Sequence, residues 1–286
     1  MRISVSSYSF QQHISAGKMT LFDTVHTARG LGFEAIEFLD MPGADYNEQI
    51  EIARRLRAEA DKYGVKVIAY TIGACLYHDN TEDSVKEVER LCRQVDIAEV
   101  LGCTVMRHDV CYSLGKSGNS RSFGLMLPTI AANARAVTEY AAPRGIMTCV
   151  ENHGYIAQDS YRLEQLFNAV AHDNFGLLVD VGNFVCADEN PTAAVSRVAP
   201  YAVHVHAKDM YLTTECLEGY GQTRGCNYFK GAIVGEGDVD VAKCLAIIHR
   251  AGYDGYCSIE FEGSEDCIDA VRRGRENLMN MLKHLA

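Results

Sequence analysis

The feature that most constrains this chain is an alternation, repeated eight times, between a short apolar run and a longer amphipathic stretch. Apolar runs of this length are typical of buried strands, which are predicted over 2–8, 33–39, 65–72, 103–109, 146–154, 174–183, 201–210 and 255–263. Apolar residues at helical spacing predict helices over 20–32, 47–64, 81–102, 121–142, 159–170, 191–200, 240–253 and 265–285. A long loop is predicted over 210–237.

The alternation also predicts the fold class. Strands and helices that alternate strictly require a parallel sheet with right-handed connections. Eight such units in 286 residues match the roughly 250 residues of a (β/α)8 barrel. No G-x-G-x-x-G motif follows the first strand, so an open dinucleotide-binding sheet lacks its signature. We therefore predict an α/β protein, a (β/α)8 TIM barrel, with residues 1–286 as a single domain.

Polar side chains interrupt the last four apolar strands near their carboxyl ends. They are Glu151, Asp180, His206 and Glu260. The carboxyl ends of the strands open onto the active-site face of such a barrel, so four residues on consecutive strands can converge there. A single acidic residue at a strand end is often only a helix cap, but four on adjacent strands are not explained as caps.

The chemistry of the four residues predicts a metal site. Three carboxylates in a partly dry barrel mouth repel one another unless they take up protons or share a cation. Oxygen ligands favour one divalent ion such as Mn²⁺ or Mg²⁺, and the imidazole also admits Co²⁺, Zn²⁺ or Fe²⁺. The residue types do not decide between these metals.

Several motifs carry a resemblance to a known family. VENHG, LLVDVGNF, HVHAKD and GEGDVDVAKCLAIIHRAGYDGYCSIEFEG together resemble the xylose isomerase-like TIM-barrel family. This family includes ketose 3-epimerases, hydroxypyruvate isomerase, inosose dehydratase and, more distantly, endonuclease IV. The resemblance implies the same four metal ligands, with the second histidine of HVHAKD as the imidazole. It also implies that Glu151 and Glu260 are the catalytic acid and base, acting through an enediolate stabilised by the metal.

Departures from the family pattern narrow the expected reaction. Asn183 stands where the ketose 3-epimerases carry a histidine, and Leu212 stands where they carry an arginine. Ala157 and Gln158 lie where these enzymes place a glutamate. The departures weigh against a standard ketose 3-epimerase and leave another isomerase, an epimerase or a dehydratase of the same barrel open.

Other polar residues near strand ends are candidate substrate contacts. They are His153, Arg107, His108, Lys208, Glu37 and Asn183. His153 could instead orient Glu151, and Arg107 and Lys208 could instead neutralise the carboxylates. The segment 211–236 is too long for a plain connection, and we expect it to fold over the barrel mouth as a lid or to form an oligomer contact.

The amino-acid composition limits the binding partners and the cellular compartment that we expect for this protein. The formal net charge of −11 disfavours nucleic acid. The amino-terminal MRISVSSYSF lacks the apolar core of a signal peptide, and no run reaches the roughly 18 apolar residues of a membrane span. We expect a cytoplasmic protein with reduced cysteines and no membrane contact. The sequence leaves open whether the protein forms a homo-oligomer, such as a dimer or a tetramer.

The leading functional hypothesis is a metal-dependent isomerase or epimerase of a small sugar or sugar derivative. The alternative is a metal-dependent dehydratase or lyase of a keto-polyol, resembling inosose dehydratase. A phosphodiesterase like endonuclease IV would need more histidines, of which His108 is the obvious one. A sugar-binding or scaffold protein without catalysis would not need four convergent ligands.

Overall fold

Eight parallel strands close into a barrel in a computed structural model that describes residues 1–285. The barrel strands are β1 (Arg2–Ser6), β2 (Ala35–Leu39), β3 (Lys66–Ile72), β4 (Val105–His108), β5 (Met147–Glu151), β6 (Phe175–Asp180), β7 (Ala202–Ala207) and β11 (Tyr256–Ile259). Each barrel strand pairs with the next barrel strand along the chain, and β1 pairs with β11 to close the barrel. The predicted (β/α)8 fold is therefore confirmed.

Nine α-helices are present among the described residues. They are α1 (Gln11–Ser15), α2 (Asp23–Gly30), α3 (Tyr46–Tyr63), α4 (Thr81–Leu101), α5 (Phe123–Ala141), α6 (Ser160–Val170), α7 (Pro191–Val198), α8 (Val241–Arg250) and α9 (Cys267–Lys283). Short 3-10 helices cover Ser7–Phe10, Gly118–Arg121, Ala142–Arg144, Asn183–Ala187 and Ala199–Tyr201. No helix within residues 1–285 combines the length and apolar character needed to cross a membrane.

The helix boundaries follow local backbone chemistry. The Asp45 side chain accepts the N–H of Glu48, which satisfies a free donor at the start of α3. That helix ends at Gly64, whose φ of 64° lies in the left-handed region, as the sequence predicts. Asp159 caps α6 in the same way as Asp45.

The segment predicted as a loop over 210–237 contains a second sheet, so that prediction is wrong. The strands β8 (Asp209–Thr213), β9 (Gly221–Gln222) and β10 (Tyr228–Ala232) form an antiparallel sheet in the order β8-β10-β9. This sheet contacts the loop after β5, where the Tyr155 hydroxyl donates a hydrogen bond to the Gln222 carbonyl at 2.9 Å. Arg224 also forms an ion pair with Asp159 at 2.8 Å.

Two irregularities in strand pairing adjust the direction of polar side chains. The register between β2 and β3 shifts at Glu37, and the register between β6 and β7 shifts beside His204. Such bulges are frequent next to active sites, where they redirect a side chain. Both shifts lie at residues that point into the barrel beneath its carboxyl-terminal mouth.

Candidate active site

Four ligand-type atoms converge at the carboxyl ends of β5, β6, β7 and β11. The His206 Nδ1 atom lies 3.6 Å from Glu260 Oε1, 3.7 Å from Glu151 Oε1 and 3.8 Å from Asp180 Oδ2. The ligand atoms of the four residues all lie within 4.8 Å of one another, and all four residues are buried. The structure thus brings together the four residues that the sequence predicts as metal ligands.

Glu37 determines which nitrogen of His206 faces this cluster. Its Oε1 atom lies 2.7 Å from Nε2 of His206, and its Oε2 atom lies 2.5 Å from Nε2 of His204. The Ser258 hydroxyl donates to the same carboxylate at 2.8 Å. With Nε2 of His206 occupied, Nδ1 points at the three carboxylates, an arrangement typical of a metal-binding histidine held by a second carboxylate.

Each of the two candidate catalytic glutamates contacts a cation with its second oxygen. Glu151 Oε2 forms an ion pair with Arg107, while Glu151 Oε1 faces the cluster and accepts a hydrogen bond from Asn183 at 3.0 Å. Glu260 Oε2 lies 2.5 Å from the Lys208 ammonium. Each glutamate therefore presents one oxygen to the shared centre and one to a fixed positive charge.

Asp180 is held in place by the backbone around it. Its Oδ1 atom accepts the N–H groups of Gly182 and Asn183 at 2.8 and 3.0 Å. Asn152 brackets the same strand end, because its side chain accepts the Asp180 N–H and donates to the Asp180 carbonyl. Gly182 is required here, since a Cβ atom would lie 2.7 Å from the Lys208 carbonyl oxygen.

Burial and neighbouring charges shift the pKa values of the cluster in opposite directions. Burial raises the pKa of Asp180 to about 6, and the Glu151 and Glu260 carboxylates act in the same direction. Burial also disfavours the charged form of Glu260, but Lys208 and His206 outweigh it and hold its pKa well below the usual range. The difference follows from distance, because Lys208 lies 3.6 Å from Asp180 and much closer to Glu260.

The basic groups respond to the same surroundings. Burial alone would lower the pKa of His206, but the Glu37 and Glu260 carboxylates hold it well above its ordinary value. Burial likewise opposes the charged form of Lys208, yet Glu260 and Asp180 hold its pKa well above the usual range. In the absence of a metal, a proton on His206 and the Lys208 ammonium therefore balance part of the carboxylate charge.

Several buried atoms at the centre have no hydrogen-bond partner among the described residues. They include His206 Nδ1 and Asp180 Oδ2. A buried polar atom without a partner is costly, so its presence calls for an explanation such as an ion. Three carboxylates and one imidazole are a donor set that suits a divalent cation. The cluster could therefore hold such an ion.

A cavity of about 340 Å³ opens beside the cluster. Glu260 and Lys208 form one side of it, and Arg107 and His153 form another. Tyr8, Leu39, Asp40, Thr71, Ile72, Gly73, Asp109, Tyr112 and Glu262 complete the wall. The volume lies within the range of small-molecule sites in proteins.

The family model for xylose isomerase-like TIM barrels matches residues 25–284 of this chain. The chain belongs to the xylose isomerase-like TIM barrel family. Among curated proteins, it is 27% identical over 173 residues to the uncharacterized protein YihM of Escherichia coli, covering 60% of this chain and 48% of YihM. The match thus spans about half the length of that relative.

Solved structures place this xylose isomerase-like barrel among similar folds. An L-ribulose 3-epimerase is 18% identical with a TM-score of 0.75, over 99% of this chain and 95% of the other. The IOLI protein with a bound zinc atom is 14% identical with a TM-score of 0.77, over 100% and 99%. The probable 3-DHS dehydratase AsbF of Bacillus anthracis is 18% identical with a TM-score of 0.74, over 98% and 99%. At these identities the likeness shows the fold alone.

Three of the predicted substrate contacts lie on the cavity wall of this family member. Arg107, Lys208 and His153 all line it, and His153 Nδ1 lies 2.9 Å from Asp109 Oδ1. Each of them also contacts a carboxylate, so the two roles considered for Arg107 and Lys208 are both compatible with the geometry.

The other three predicted substrate contacts lie elsewhere. Glu37 and His108 are fully buried and Asn183 nearly so, and none of them lines the cavity. Glu37 lies beneath the cluster, Asn183 contacts Glu151, and His108 Nδ1 donates to the Asp109 carbonyl at 3.0 Å. Glu37 points into the barrel interior, His108 follows the inward-facing Arg107 on β4 and therefore faces the opposite side of that strand, and Asn183 lies in the 3-10 helix after β6. A strand boundary in the sequence does not reveal these directions.

Sequence reasoning missed several residues of the cavity wall. Asp109 contacts Arg107, His153 and Tyr112, with a 2.7 Å hydrogen bond from the Tyr112 hydroxyl. Glu262, whose side chain is partly exposed, lines the cavity and accepts a hydrogen bond from Tyr8. Asp109 ends the predicted fourth strand, which was the available signal. The segment 211–236, expected to form a lid over the mouth or an oligomer contact, contributes no residue to the cavity wall among residues 1–285.

Proposed function

We propose that this protein is a divalent-metal-dependent isomerase or epimerase of a small sugar or sugar derivative. One observation carries the proposal: Glu151 and Glu260 each direct one oxygen at the centre shared with Asp180 and His206, beside a cavity of small-molecule size. Two carboxylates in different surroundings can divide the roles of acid and base. The family and its epimerase and isomerase members support this class of reaction.

The residues that would hold the ion are Glu151, Asp180, His206 and Glu260. When bound, a divalent cation would supply Lewis acidity that makes the C–H beside a substrate carbonyl more acidic. The donor set favours Mn²⁺ or Mg²⁺ and also admits Zn²⁺, which the IOLI protein binds.

The chain's own groups would then move the proton. One glutamate removes it from the carbon beside the carbonyl, and the other returns it to the opposite face of that carbon or to the neighbouring carbon. Arg107 keeps its charge at every accessible pH, so it holds Glu151 in one place without exchanging protons. Lys208 is a titratable ammonium beside Glu260, so the Glu260 side of the site can also donate a proton.

Dehydration of a keto-polyol is the second candidate reaction. It begins with the same proton removal and then expels a hydroxyl group, which needs a proton donor. The Lys208 ammonium, 2.5 Å from Glu260, is such a donor, and the likeness to AsbF supports including this reaction. Loss of water from the product, measured by mass spectrometry, separates dehydration from isomerisation.

Proton exchange with solvent tests the proposal directly. Chelator-treated protein is reloaded with Mn²⁺, Mg²⁺, Co²⁺ or Zn²⁺ and incubated in deuterated water with a panel of free ketoses, keto-polyols and sugar phosphates. We expect deuterium to enter the position beside the carbonyl only with a cation present. Full exchange in the chelated protein, or no exchange with any member of the panel, would contradict the proposal.

Matched variants assign the acid and base. Glu151→Gln or Glu260→Gln should reduce exchange by about 10²- to 10⁴-fold, as expected for loss of an acid or base. Glu215→Gln changes an exposed glutamate outside the cavity and should leave exchange unchanged. Metal content measured for each variant separates loss of the cation from loss of proton transfer. Intact exchange in the Glu151 and Glu260 variants would overturn the assignment.

A further inference from the structure

The cavity wall carries more acidic than basic side chains. Its acidic members are Asp40, Asp109, Glu260 and Glu262, and its two cations are Arg107 and Lys208. Glu151 and Asp180 add two further carboxylates directly behind this wall. A cavity with this balance repels anions and admits neutral or cationic solutes.

The guanidinium of Arg107 is already engaged by two carboxylates of the protein. Its guanidinium pairs with Glu151 and with Asp109 Oδ1, the latter at 3.1 Å, and donates to the Ile72 carbonyl at 3.1 Å. His153, the other basic group on this side, is also engaged with Asp109. The positive charge on this side of the cavity is therefore balanced by carboxylates of the protein.

On the opposite side of the cavity, Lys208 likewise contacts acceptor groups of the protein. Its ammonium lies 2.5 Å from Glu260 and 3.3 Å from Glu262, and it donates to Asn183 Oδ1 at 3.4 Å. Asp180 is a further neighbour at 3.6 Å. An ammonium has three donors, and three closer acceptors already surround this one.

The place where barrels of this type usually hold a phosphate is occupied by the chain itself. In such barrels the phosphate site is formed by the loops after the seventh and eighth strands. Here the Asp209 carboxylate, directly after β7, accepts four main-chain N–H groups from this region. They belong to Met210, Val239, Gly235 and Gly237, at 2.8, 3.1, 2.9 and 3.0 Å.

The loop after the eighth barrel strand is equally unsuited to an anion. Glu262 occupies it beside the cavity. The first turn of α9 is capped by Asp266, which accepts the N–H groups of Ile268 and Asp269. These two backbone donors at the start of α9, where a phosphate could bind, are thus already paired with a carboxylate of the protein.

We infer that the substrate of this site is an uncharged polyhydroxy compound, such as a free ketose or keto-polyol, and that phosphate esters are rejected. This inference rests on the proposed function. The carboxylates of Asp40 and Glu262 and the hydroxyls of Tyr8 and Tyr112 offer hydrogen-bond acceptors to the hydroxyl groups of a substrate. A phosphate dianion would instead meet a wall on which four carboxylates outnumber two cations.

The test compares matched pairs of compounds on the metal-loaded protein. Each free ketose and its phosphate ester are compared for solvent deuterium exchange and for their effect on the melting temperature. We expect free sugars to exchange and to stabilise the protein, with a kcat/KM at least tenfold above that of the ester. A phosphate ester that exchanges as well as its free sugar would overturn the inference and leave the proposed function standing.

If no compound exchanges deuterium, the change in melting temperature separates the inference about the substrate from the proposed reaction. Stabilisation by free sugars but not by phosphate esters or inorganic phosphate would uphold the inference while the proposed reaction fails. If no free sugar stabilises the protein more than its ester does, the inference is wrong.

Charge-neutralising variants provide a second measurement. Asp40→Asn and Glu262→Gln remove one negative charge each from the wall and should raise the ester-to-free-sugar ratio of kcat/KM at least tenfold. Added salt should raise the same ratio in the unmodified protein, because it screens the repulsion. Glu215→Gln is the control and should leave the ratio unchanged. A ratio unaffected by both cavity variants would also overturn the inference.

Discussion

Glu37 is the residue on which the geometry of the cluster depends most. It is fully buried and contacts His204 and His206 of β7 and Ser258 of β11. The two histidines hold the pKa of Glu37 below its usual range although burial acts in the opposite direction. An ionised carboxylate here keeps a proton on Nε2 of His206 and leaves Nδ1 for a ligand.

We therefore expect Glu37→Gln to weaken metal binding without removing any ligand. The amide keeps the shape of the side chain but loses the charge that orients His206, so affinity for Mn²⁺ should fall about 10- to 100-fold. Calorimetric titration of the chelated protein measures this change. Glu215→Gln is the matched control, and equal affinity in the Glu37 variant and the control would refute the orienting role.

How far single residues could be predicted depends on whether their partners are close in sequence. The four ligand residues stand at strand ends, and the order of parallel strands alone predicts that they meet. The partner of Glu37 could not be predicted, because His204 lies 167 residues away. Nothing in the two local sequences indicates that their side chains cross the barrel interior toward each other.

Among secondary-structure elements, the barrel strands were predictable and the additional sheet was not. All eight predicted strand runs contain a barrel strand, because each is apolar enough to be buried on both faces. β8, β9 and β10 contain charged, polar and glycine residues and include exposed positions, so no apolar run marks them. Their pairing is antiparallel and local, which the pattern of alternating strands and helices does not contain.

Asp209 joins this sheet to the barrel, and its replacement tests that connection. Each carboxylate oxygen of Asp209 accepts two N–H groups. In Asp209→Asn, one of these oxygens is replaced by an NH2 group, which cannot accept them. We expect the free energy of unfolding to fall by about 1–3 kcal/mol, measured by urea denaturation. Asp173→Asn, at an exposed position, should change it by less than about 0.5 kcal/mol. Equal values for both variants would contradict the structural role of Asp209.

For the whole molecule, the charge within the site links metal binding to stability and pH. The pKa of Asp180 is raised to about 6 in the metal-free protein, mainly by burial. Between its ordinary pKa of 3.8 and about 6, the folded state binds more protons than the unfolded state. The stability that this proton provides is therefore present at low pH and is lost as the pH rises through about 6.

A divalent cation should replace that proton as the stabilising charge. It competes with protons on Asp180 and His206, so its affinity should increase as the pH rises. At 100 times its dissociation constant a ligand adds about 2.7 kcal/mol. We expect a larger increase in melting temperature with Mn²⁺ at about pH 7.5 than at about pH 5, measured by thermal denaturation. An equal increase at both values would contradict proton competition.

The order of the four ligands along the chain has a consequence for synthesis on the ribosome. Glu151 belongs to the fifth barrel strand and Glu260 follows the last, β11, which also closes the barrel against β1. At translation rates of roughly 5–20 residues per second, several seconds separate the appearance of the first and last ligands. During that interval the nascent barrel is open and the four-residue cluster is incomplete. Binding of an ion by all four residues would therefore be a late event that coincides with closure.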